Sequence, residues 1–339
     1  MKDLQALPKA HLHLHFTGAM RPETMRELAQ DQGIRLPAHL LESDPLTVPA
    51  DARGWFRFQR SYDAARQLVR SEDVMRRIVR EAAEDDATEG SVRLEMQVDP
   101  TSYAPWVGGI TPALEIVLDE AKAASEATGV QVAIVVAASR VRHPLDARTL
   151  ARLAGRYAGD GAGEVVGFGL SNDERVGTTS DFAAAFQIAR RAGLVGVPHG
   201  GELLGPSSLR EVVGHLKPAR IGHGVRSVED PELLEKLVED DIAFELCPTS
   251  NVNLGVYAAA RDVPLRELVD SGARVALGAD DPLLFRSRLL DQYEMARSVH
   301  DFSTGELAGL AEGSLEASLA SDSDKARWKK QVETWADAS

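Results

Sequence analysis

The strongest constraint on the fold is a repeat in which short apolar, β-branched runs alternate with longer segments of helical periodicity. After the second run they return roughly every 25 to 40 residues, the length of one strand–helix unit. We place eight strands near Ala10–His15, Val92–Val98, Val132–Ala137, Glu164–Leu170, Leu194–His199, Arg220–His223, Ala243–Cys247 and Arg274–Leu277. Such alternation predicts a parallel sheet, and eight units predict a closed (β/α)8 TIM barrel of the α/β class.

The first interval between strands is the exception, because about 75 residues separate strand one from strand two. It contains helical segments near Pro22–Asp31, Trp55–Val69 and Glu72–Glu89. An insertion after a barrel strand lies over the C-terminal face, so residues 16–90 are predicted to form a helical lid. The tail from Ser321 predicts a C-terminal helix, and residues 1–339 are predicted to form a single domain.

Composition restricts the classes of partner. The chain has 38 Lys plus Arg against 52 Asp plus Glu, a net charge of −14, which disfavours nucleic acid. The segment MKDLQALPKAHLH lacks the apolar region of a signal peptide, and the longest apolar stretch is too short to span a membrane. Cys247 is the single cysteine, which fits a reducing compartment. We therefore expect a cytoplasmic protein.

Histidines alternate along the first strand, in the order His11, His13 and His15. Alternate side chains of a strand share one face, so all three could point into the barrel. Two imidazoles at this spacing can share one metal ion. Alone, the pattern is equally compatible with a polar strand face.

Further ionisable side chains stand where other strands end. Strand five ends in His199 with Glu202 just beyond it, strand six ends in His223, and strand eight leads into Asp280 and Asp281. The C-terminal ends of barrel strands converge on one rim, so these residues predict a site there. Imidazoles with one carboxylate favour zinc over magnesium or calcium, while iron and manganese remain open. Strand four offers no lysine to bridge two metals, so we expect one ion per chain.

At these motifs the chain resembles the adenosine deaminase family. The shared features are the HxH strand followed by Gly-Ala and Pro-Glu-Thr, the H-x-G-E turn, the Gly-His-Gly turn and the Asp-Asp-Pro turn, in family order. The resemblance implies zinc-dependent hydrolytic deamination of a small-molecule adenine nucleoside. It implies the following roles: zinc ligands His13, His15, His199 and Asp280; proton shuttle to purine N1, Glu202; residue holding the hydroxide, His223; and hydrogen-bond partner of purine N7, Asp281. The family places no ligand at the position of His11.

Two positions depart from the family pattern. The family usually has an Asp that contacts the ribose 5′-hydroxyl where this chain has Thr17, and a Gly whose amide meets purine N3 where it has Asn172. Thr17 suggests a substrate without a 5′-hydroxyl, because a carboxylate there would accept a hydrogen bond from that hydroxyl. The His-Phe-Thr-Gly segment is also similar to actinobacterial family members that we associate with aminodeoxyfutalosine, a substrate of menaquinone biosynthesis by the futalosine route.

The predicted lid is unusually aromatic and basic over residues 53–60. Trp55, Phe56 and Phe58 could stack on the aromatic ring of aminodeoxyfutalosine, and Arg53, Arg57 or Arg60 could pair with its carboxylate. An amphipathic helix with solvated arginines explains the same residues without a ligand.

Other functions stay open on the sequence alone. An ordinary adenosine or 2′-deoxyadenosine deaminase of purine salvage requires only that Thr17 bond the 5′-hydroxyl weakly. A metal-dependent hydrolase of a cyclic amide or phosphotriester would use the same fold, but the predicted single-metal ligand set and the paired Asp280 and Asp281 disfavour it. A catalytically inactive binding barrel would be expected to have lost a ligand or the proton shuttle.

Overall fold

The computed structural model describes residues 2–338 and contains one eight-stranded parallel sheet in which each strand pairs with the next. The strands are β1 Lys9–His15, β2 Ser91–Val98, β3 Gln131–Ser139, β4 Val165–Ser171, β5 Val195–Gly200, β6 Arg220–His223, β7 Ala243–Leu246 and β8 Val275–Leu277. The loop after β8 meets β1, where the His15 amide donates to the Asp280 carbonyl at 3.0 Å and the Asp280 amide to the His13 carbonyl at 3.0 Å. The predicted TIM barrel is confirmed.

Helices connect the strands and cover the outside of the barrel. The α-helices are α1 Pro22–Asp31, α2 Ala38–Leu41, α3 Ala52–Arg66, α4 Glu72–Thr88, α5 Ala104–Val107, α6 Ile110–Thr128, α7 Pro144–Ala154, α8 Ala183–Arg191, α9 Pro206–Leu216, α10 Pro231–Glu239, α11 Pro248–Asn253, α12 Leu265–Asp270, α13 Pro282–Phe285, α14 Leu289–Ser298, α15 Thr304–Ala317 and α16 Asp322–Asp337. Within residues 2–338, none is long and apolar enough to cross a membrane.

The interval between β1 and β2 contains four helices, and they play different parts. α4 packs against β2 and α6 in the manner of an ordinary barrel helix, so it is not an addition to the barrel. α3 begins at Ala52, three residues before the predicted Trp55, because the Asp51 carboxylate accepts the Gly54 amide at 2.7 Å and caps the helix there. A lid function for this interval stays a prediction.

Two kinds of side chain fill the inside of the barrel. One half is apolar, with Ala133, Val135, Val166 and Val197 packed against Leu319 from the connection between α15 and α16. The other half contains a network of buried charges formed by Arg93, Glu95, Arg220 and Glu245. This charged set is called the lower ion network below, because it lies beneath the histidines of β1.

Candidate active site

The C-terminal rim of the barrel brings together His13, His15, His199 and Asp280, the rim cluster. His15 Nε2 lies 3.2 Å from His199 Nε2 and 3.2 Å from Asp280 Oδ1, and His13 Nε2 lies 3.5 Å from the same oxygen. Four ligands at zinc bond lengths in a tetrahedron are separated by about 3.3 Å, so this spacing suits one ion. The sequence-predicted set is therefore brought together.

Several buried polar atoms of this region have no hydrogen-bond partner among the described residues. They include His13 Nε2, Glu202 Oε1 and Asp281 Oδ1. Buried polar atoms are nearly always paired, so unpaired atoms that face one space indicate a ligand that completes them. A cation suits the imidazole nitrogens and the Asp280 carboxylate, and a polar organic molecule suits Glu202 and Asp281.

The His13 ring is held from behind by a carboxylate that sequence reasoning missed. Glu245 Oε2 lies 2.7 Å from His13 Nδ1, which places the proton on Nδ1 and turns Nε2 toward the cluster. Burial opposes a charged imidazole, but the nearby carboxylates of Asp280 and Glu245 outweigh it and raise the pKa of His13 to about 10. A metal ion would have to displace that extra proton. A Cβ at Gly278 would lie 2.7 Å from His13 Cβ, so a larger residue there would displace the ring.

Glu202 and His223 face each other beside the cluster, with Oε1 and Nε2 3.6 Å apart. Glu174 holds this loop, because its Oε2 accepts the amides of Glu202, Leu203 and Leu204 at 3.2, 2.6 and 2.9 Å. Burial and the charge of Asp280 raise the pKa of Glu202 well above its usual range. Burial lowers the pKa of His223 to about 3. The pair therefore places a carboxyl group with a raised pKa beside an imidazole with a lowered pKa.

Asp281 points into the same space, and a glycine makes room for it. A Cβ at Gly18 would lie 1.8 Å from Asp281 Oδ1, so any side chain there would displace this carboxyl. Burial and the neighbouring Asp280 raise the pKa of Asp281 well above its usual range. A protonated Asp281 can donate a hydrogen bond to a ring nitrogen.

Three residues of the site have left-handed backbone conformations, with φ of 80° at Asn172, 67° at His223 and 61° at Asp280. Such conformations are uncommon outside glycine and concentrate at functional sites. Asn172 stands where the family has glycine, and asparagine is among the residues that tolerate this conformation. The departure at this position therefore keeps the backbone geometry and adds a side chain.

A cavity, the inner cavity, opens above the rim cluster. Among the residues singled out from the sequence, its lining includes His15, Trp55, Phe58, Asn172, His199, Glu202, His223, Asp280 and Asp281. Sequence reasoning did not identify further lining residues from α3 and from the segment after β2, namely Gln59, Tyr62, Arg66, Asp99, Ser102 and Tyr103. The segment after β2 could have been suspected, because it lies at the same rim.

Three of the predicted substrate-binding residues lie outside the lining of this cavity. Thr17 is fully buried, and its hydroxyl lies 2.6 Å from the Tyr103 hydroxyl, so Tyr103 rather than Thr17 lines the cavity. Arg57 is exposed on α3 and lines no part of the cavity. Phe56 is 60% exposed and lies outside the inner cavity. Trp55 and Phe58 face inward, and the helical period turns their neighbours away.

His11 is engaged elsewhere. Its Nδ1 lies 3.0 Å from Asp86 Oδ1, and its Nε2 accepts the Ala279 amide at 3.1 Å. Both ring nitrogens are therefore occupied, which fits its omission from the predicted ligands.

The Cys247 thiol lies close enough to His223 and Asp280 to offer an alternative group of donors, but burial raises the pKa of the thiol well above its usual range.

The fold and the site define a barrel hydrolase with a metal-ligand cluster at its rim, and the relationships of the chain agree. The sequence profile of the adenosine deaminase family matches residues 8–335, and the chain belongs to that family. A protein of Streptomyces virginiae, provisionally named an adenosine/adenine deaminase, is 57% identical over 98% of both chains. This chain is accordingly a hydrolytic deaminase of the adenosine/adenine deaminase type, which acts on a carbon–nitrogen bond.

Solved structures show the same relationship. The adenine deaminase of Arthrobacter aurescens superposes with a TM-score of 0.89 and 30% identity, covering 98% of this chain and 100% of that one. The Arabidopsis protein ADAL, solved with IMP, superposes with a TM-score of 0.85 and 25% identity over 98% of each chain. Membership in this family implies a divalent metal, and the rim cluster offers the His and Asp donors for it.

Proposed function

We propose that the protein is a zinc-dependent deaminase that replaces the 6-amino group of an adenine nucleoside with oxygen and releases ammonia. One observation carries this proposal: Glu202, His223 and Asp281 line the inner cavity together with His15, His199 and Asp280 of the rim cluster. A purine placed there would meet two carboxyl groups with raised pKa values, Glu202 and Asp281, and the imidazole of His223.

His13, His15, His199 and Asp280 would hold the ion, with one ion per chain because their spacing suits a single tetrahedral centre. Zinc fits three imidazoles and a carboxylate better than magnesium or calcium does. The ion would supply activation of water at neutral pH.

The side chains would perform the remaining steps. The protonated Glu202 donates its proton to purine N1, which makes C6 electrophilic. His223 orients the attacking water through its neutral ring, and Asp281 donates to N7 and holds the ring in plane. As the bond from oxygen to C6 forms, the water gives up its two protons, one restoring Glu202 and the other passing to the amino group; the bond from C6 to that nitrogen then breaks, ammonia leaves, and C6 becomes a carbonyl.

For the nucleoside itself we propose a 5′-modified adenosine, namely aminodeoxyfutalosine of the futalosine route to menaquinone. The supporting observation is that Thr17 is engaged by Tyr103 and offers no carboxylate for a 5′-hydroxyl. Trp55 and Phe58 line the inner cavity and provide an apolar wall beside the predicted ribose position.

Adenosine is the second candidate, and one side chain favours it. Asp99 lines the cavity, and its Oδ1 accepts the Thr101 amide and hydroxyl, which leaves its other oxygen to accept a 5′-hydroxyl. The relationship to the Arthrobacter adenine deaminase adds the free base adenine to the comparison.

The test measures kcat/KM for aminodeoxyfutalosine, 5′-deoxyadenosine, adenosine and adenine on one enzyme preparation, using the absorbance change of deamination. We expect aminodeoxyfutalosine to be the best substrate. If adenosine or adenine is best, the 5′-modified substrate is wrong while deamination stands; if none reacts, the proposed function fails. Glu202→Gln, prepared in parallel, shows that the activity belongs to this protein.

A further inference from the structure

Three exposed apolar side chains from separate segments converge outside the inner cavity. They are Phe56 of α3, Val141 in the segment after β3 and Val176 in the segment after β4, with exposed fractions of 60%, 54% and 41%. All three line a second concavity, the outer cavity. Single exposed apolar residues are ordinary, but three from distant parts of the chain around one concavity indicate a binding surface.

The outer cavity adjoins the inner one. Seven residues line both cavities, and they come from α3 and from the segments that follow β2, β3 and β4: Trp55, Gln59, Arg66, Asp99, Ser102, Ser139 and Asn172. A molecule whose reacting end lies at Glu202 and Asp281 therefore extends past this shared wall into the outer cavity.

Two arginines and three carboxylates line the outer cavity, and two of the carboxylates are paired with arginines. Of its acidic residues, Asp63 pairs with Arg66 and Asp173 forms two hydrogen bonds to Arg175, at 2.7 and 3.1 Å. Asp99, the third acidic residue in the wall, is the one already described as bonded to Thr101.

Arg142 is the cation in the wall with the weakest engagement. Its pair is with Asp146 at 3.3 Å, and both side chains are nearly half exposed. Exposed pairs of this kind contribute little, so Arg142 can exchange Asp146 for a ligand carboxylate at small cost.

We infer that the outer cavity is a subsite for an apolar, negatively charged group attached to the ribose 5′ position. Phe56, Val141 and Val176 contact its apolar part, and Arg142 pairs with its anionic end. This inference rests on the proposed function, because the deamination site fixes which end of the nucleoside lies deepest. It also assigns to Arg142 the role that the sequence suggested for Arg57.

Three 5′-substituted adenosines test the subsite: 5′-S-(4-carboxyphenyl)-5′-thioadenosine, 5′-S-phenyl-5′-thioadenosine and 5′-deoxyadenosine. We expect kcat/KM to fall in that order for the unmodified enzyme. Arg142→Gln is expected to lower kcat/KM for the carboxyphenyl compound about tenfold, the range of a lost charge-assisted hydrogen bond, and to affect the phenyl compound much less. Phe56→Ala is expected to lower kcat/KM for both aryl compounds and to leave kcat/KM for 5′-deoxyadenosine less affected.

Arg152→Gln is the matched control, because Arg152 is an exposed arginine on α7 that lines neither cavity. The inference is overturned if Arg142→Gln affects both aryl compounds equally, or if the unmodified enzyme prefers 5′-deoxyadenosine. If no compound is deaminated, the proposed function fails, and calorimetric binding of the 6-oxo counterparts still decides the subsite. Preferential binding of the carboxyphenyl form that depends on Arg142 supports it, and equal binding of all three overturns it.

Discussion

The barrel contains two layers of buried ionisable side chains, and they differ in how complete they are. In the lower ion network, Arg93 Nε meets Glu95 Oε1 at 3.0 Å, and Arg220 contacts Glu95 at 2.7 Å and Glu245 at 2.6 Å. The Arg220–Glu95 pair is a close ion contact rather than an aligned hydrogen bond. Each charge there meets an opposite charge from the chain itself.

The rim cluster lacks this internal balance. His15 and His199 present ring nitrogens to each other at 3.2 Å, an arrangement that a proton or a cation must occupy to be favourable. The charges of the lower network are thus balanced within the chain, whereas the rim cluster directs ring nitrogens at one another, as ligands of a shared cation do. Glu245 joins the layers, because one oxygen contacts Arg220 and the other His13.

The largest expected effect comes from removing a rim ligand. His199→Ala is expected to abolish both bound metal and deamination, because one of four ligands is lost. Metal content and turnover are measured together, with His215→Ala as control, since His215 is a half-exposed histidine on α9. Stoichiometric metal with normal turnover in His199→Ala would remove His199 from the ligand set.

Glu202→Gln is expected to keep the metal and lower kcat by about 10²- to 10⁴-fold, because the proton donor is lost while the ligands remain. Metal analysis and steady-state kinetics check both halves of this expectation. Loss of the metal in this variant would make Glu202 a ligand and contradict its assigned role.

Glu245→Gln tests the residue that connects the lower ion network to the rim cluster. The amide cannot accept the His13 Nδ1 proton and the Arg220 contact as a carboxylate does, so metal affinity is expected to fall about 10- to 100-fold. Competition with a chelating dye measures that affinity. Unchanged affinity would show that His13 is oriented without Glu245.

Glu95→Gln is expected to have the smallest effect on the reaction and to act on folding instead. Removing one partner of a buried ion pair is expected to lower the free energy of unfolding by about 3 kcal/mol, with metal stoichiometry unchanged. Urea unfolding of the variant and the parent, with metal analysis of each, measures this. A loss of metal without a loss of stability would reverse the roles of the two layers.

The same network predicts a pH dependence. Burial alone would raise the pKa of Glu95, but the charges of Arg220 and Arg93 outweigh it and hold the pKa below its usual range. A carboxylate with a lowered folded-state pKa stabilises the fold above its unfolded pKa, and this contribution disappears as the pH falls through the folded value. The free energy of unfolding is therefore expected to fall less between neutral and acidic pH for Glu95→Gln than for the parent. An equal fall in both proteins would show that Glu95 is not the titrating group.

The sequence predicted what depends on local pattern. Each strand lies within two residues of its predicted bounds, because alternation and β-branched runs are local signals. The motif histidines and Asp280 converge because strand ends must meet at one rim. The positions of Glu245 and Glu174 could not be predicted, since their partners lie far along the chain. Buried charges within the apolar strands β6 and β7, at Arg220 and Glu245, were the available signal.

The orientation of the α3 side chains also escaped prediction. Which of Trp55, Phe56 and Arg57 faces the cavity depends on where α3 packs. The sequence pattern showed that this segment is aromatic and basic, but not which of its side chains point toward the barrel. Thr17 likewise could not be assigned, because its partner Tyr103 comes from the segment after β2.

Metal reconstitution tests the central claim most directly. Chelator-treated protein would be titrated with zinc while deamination of a 6-aminopurine nucleoside and bound metal are measured in the same samples. Activity is predicted to be absent without metal, to rise in proportion to bound zinc and to level off at about one ion per chain, the capacity of one tetrahedral cluster. Full activity of the metal-free protein, or a plateau reached only at two ions per chain, would contradict the account of the rim cluster.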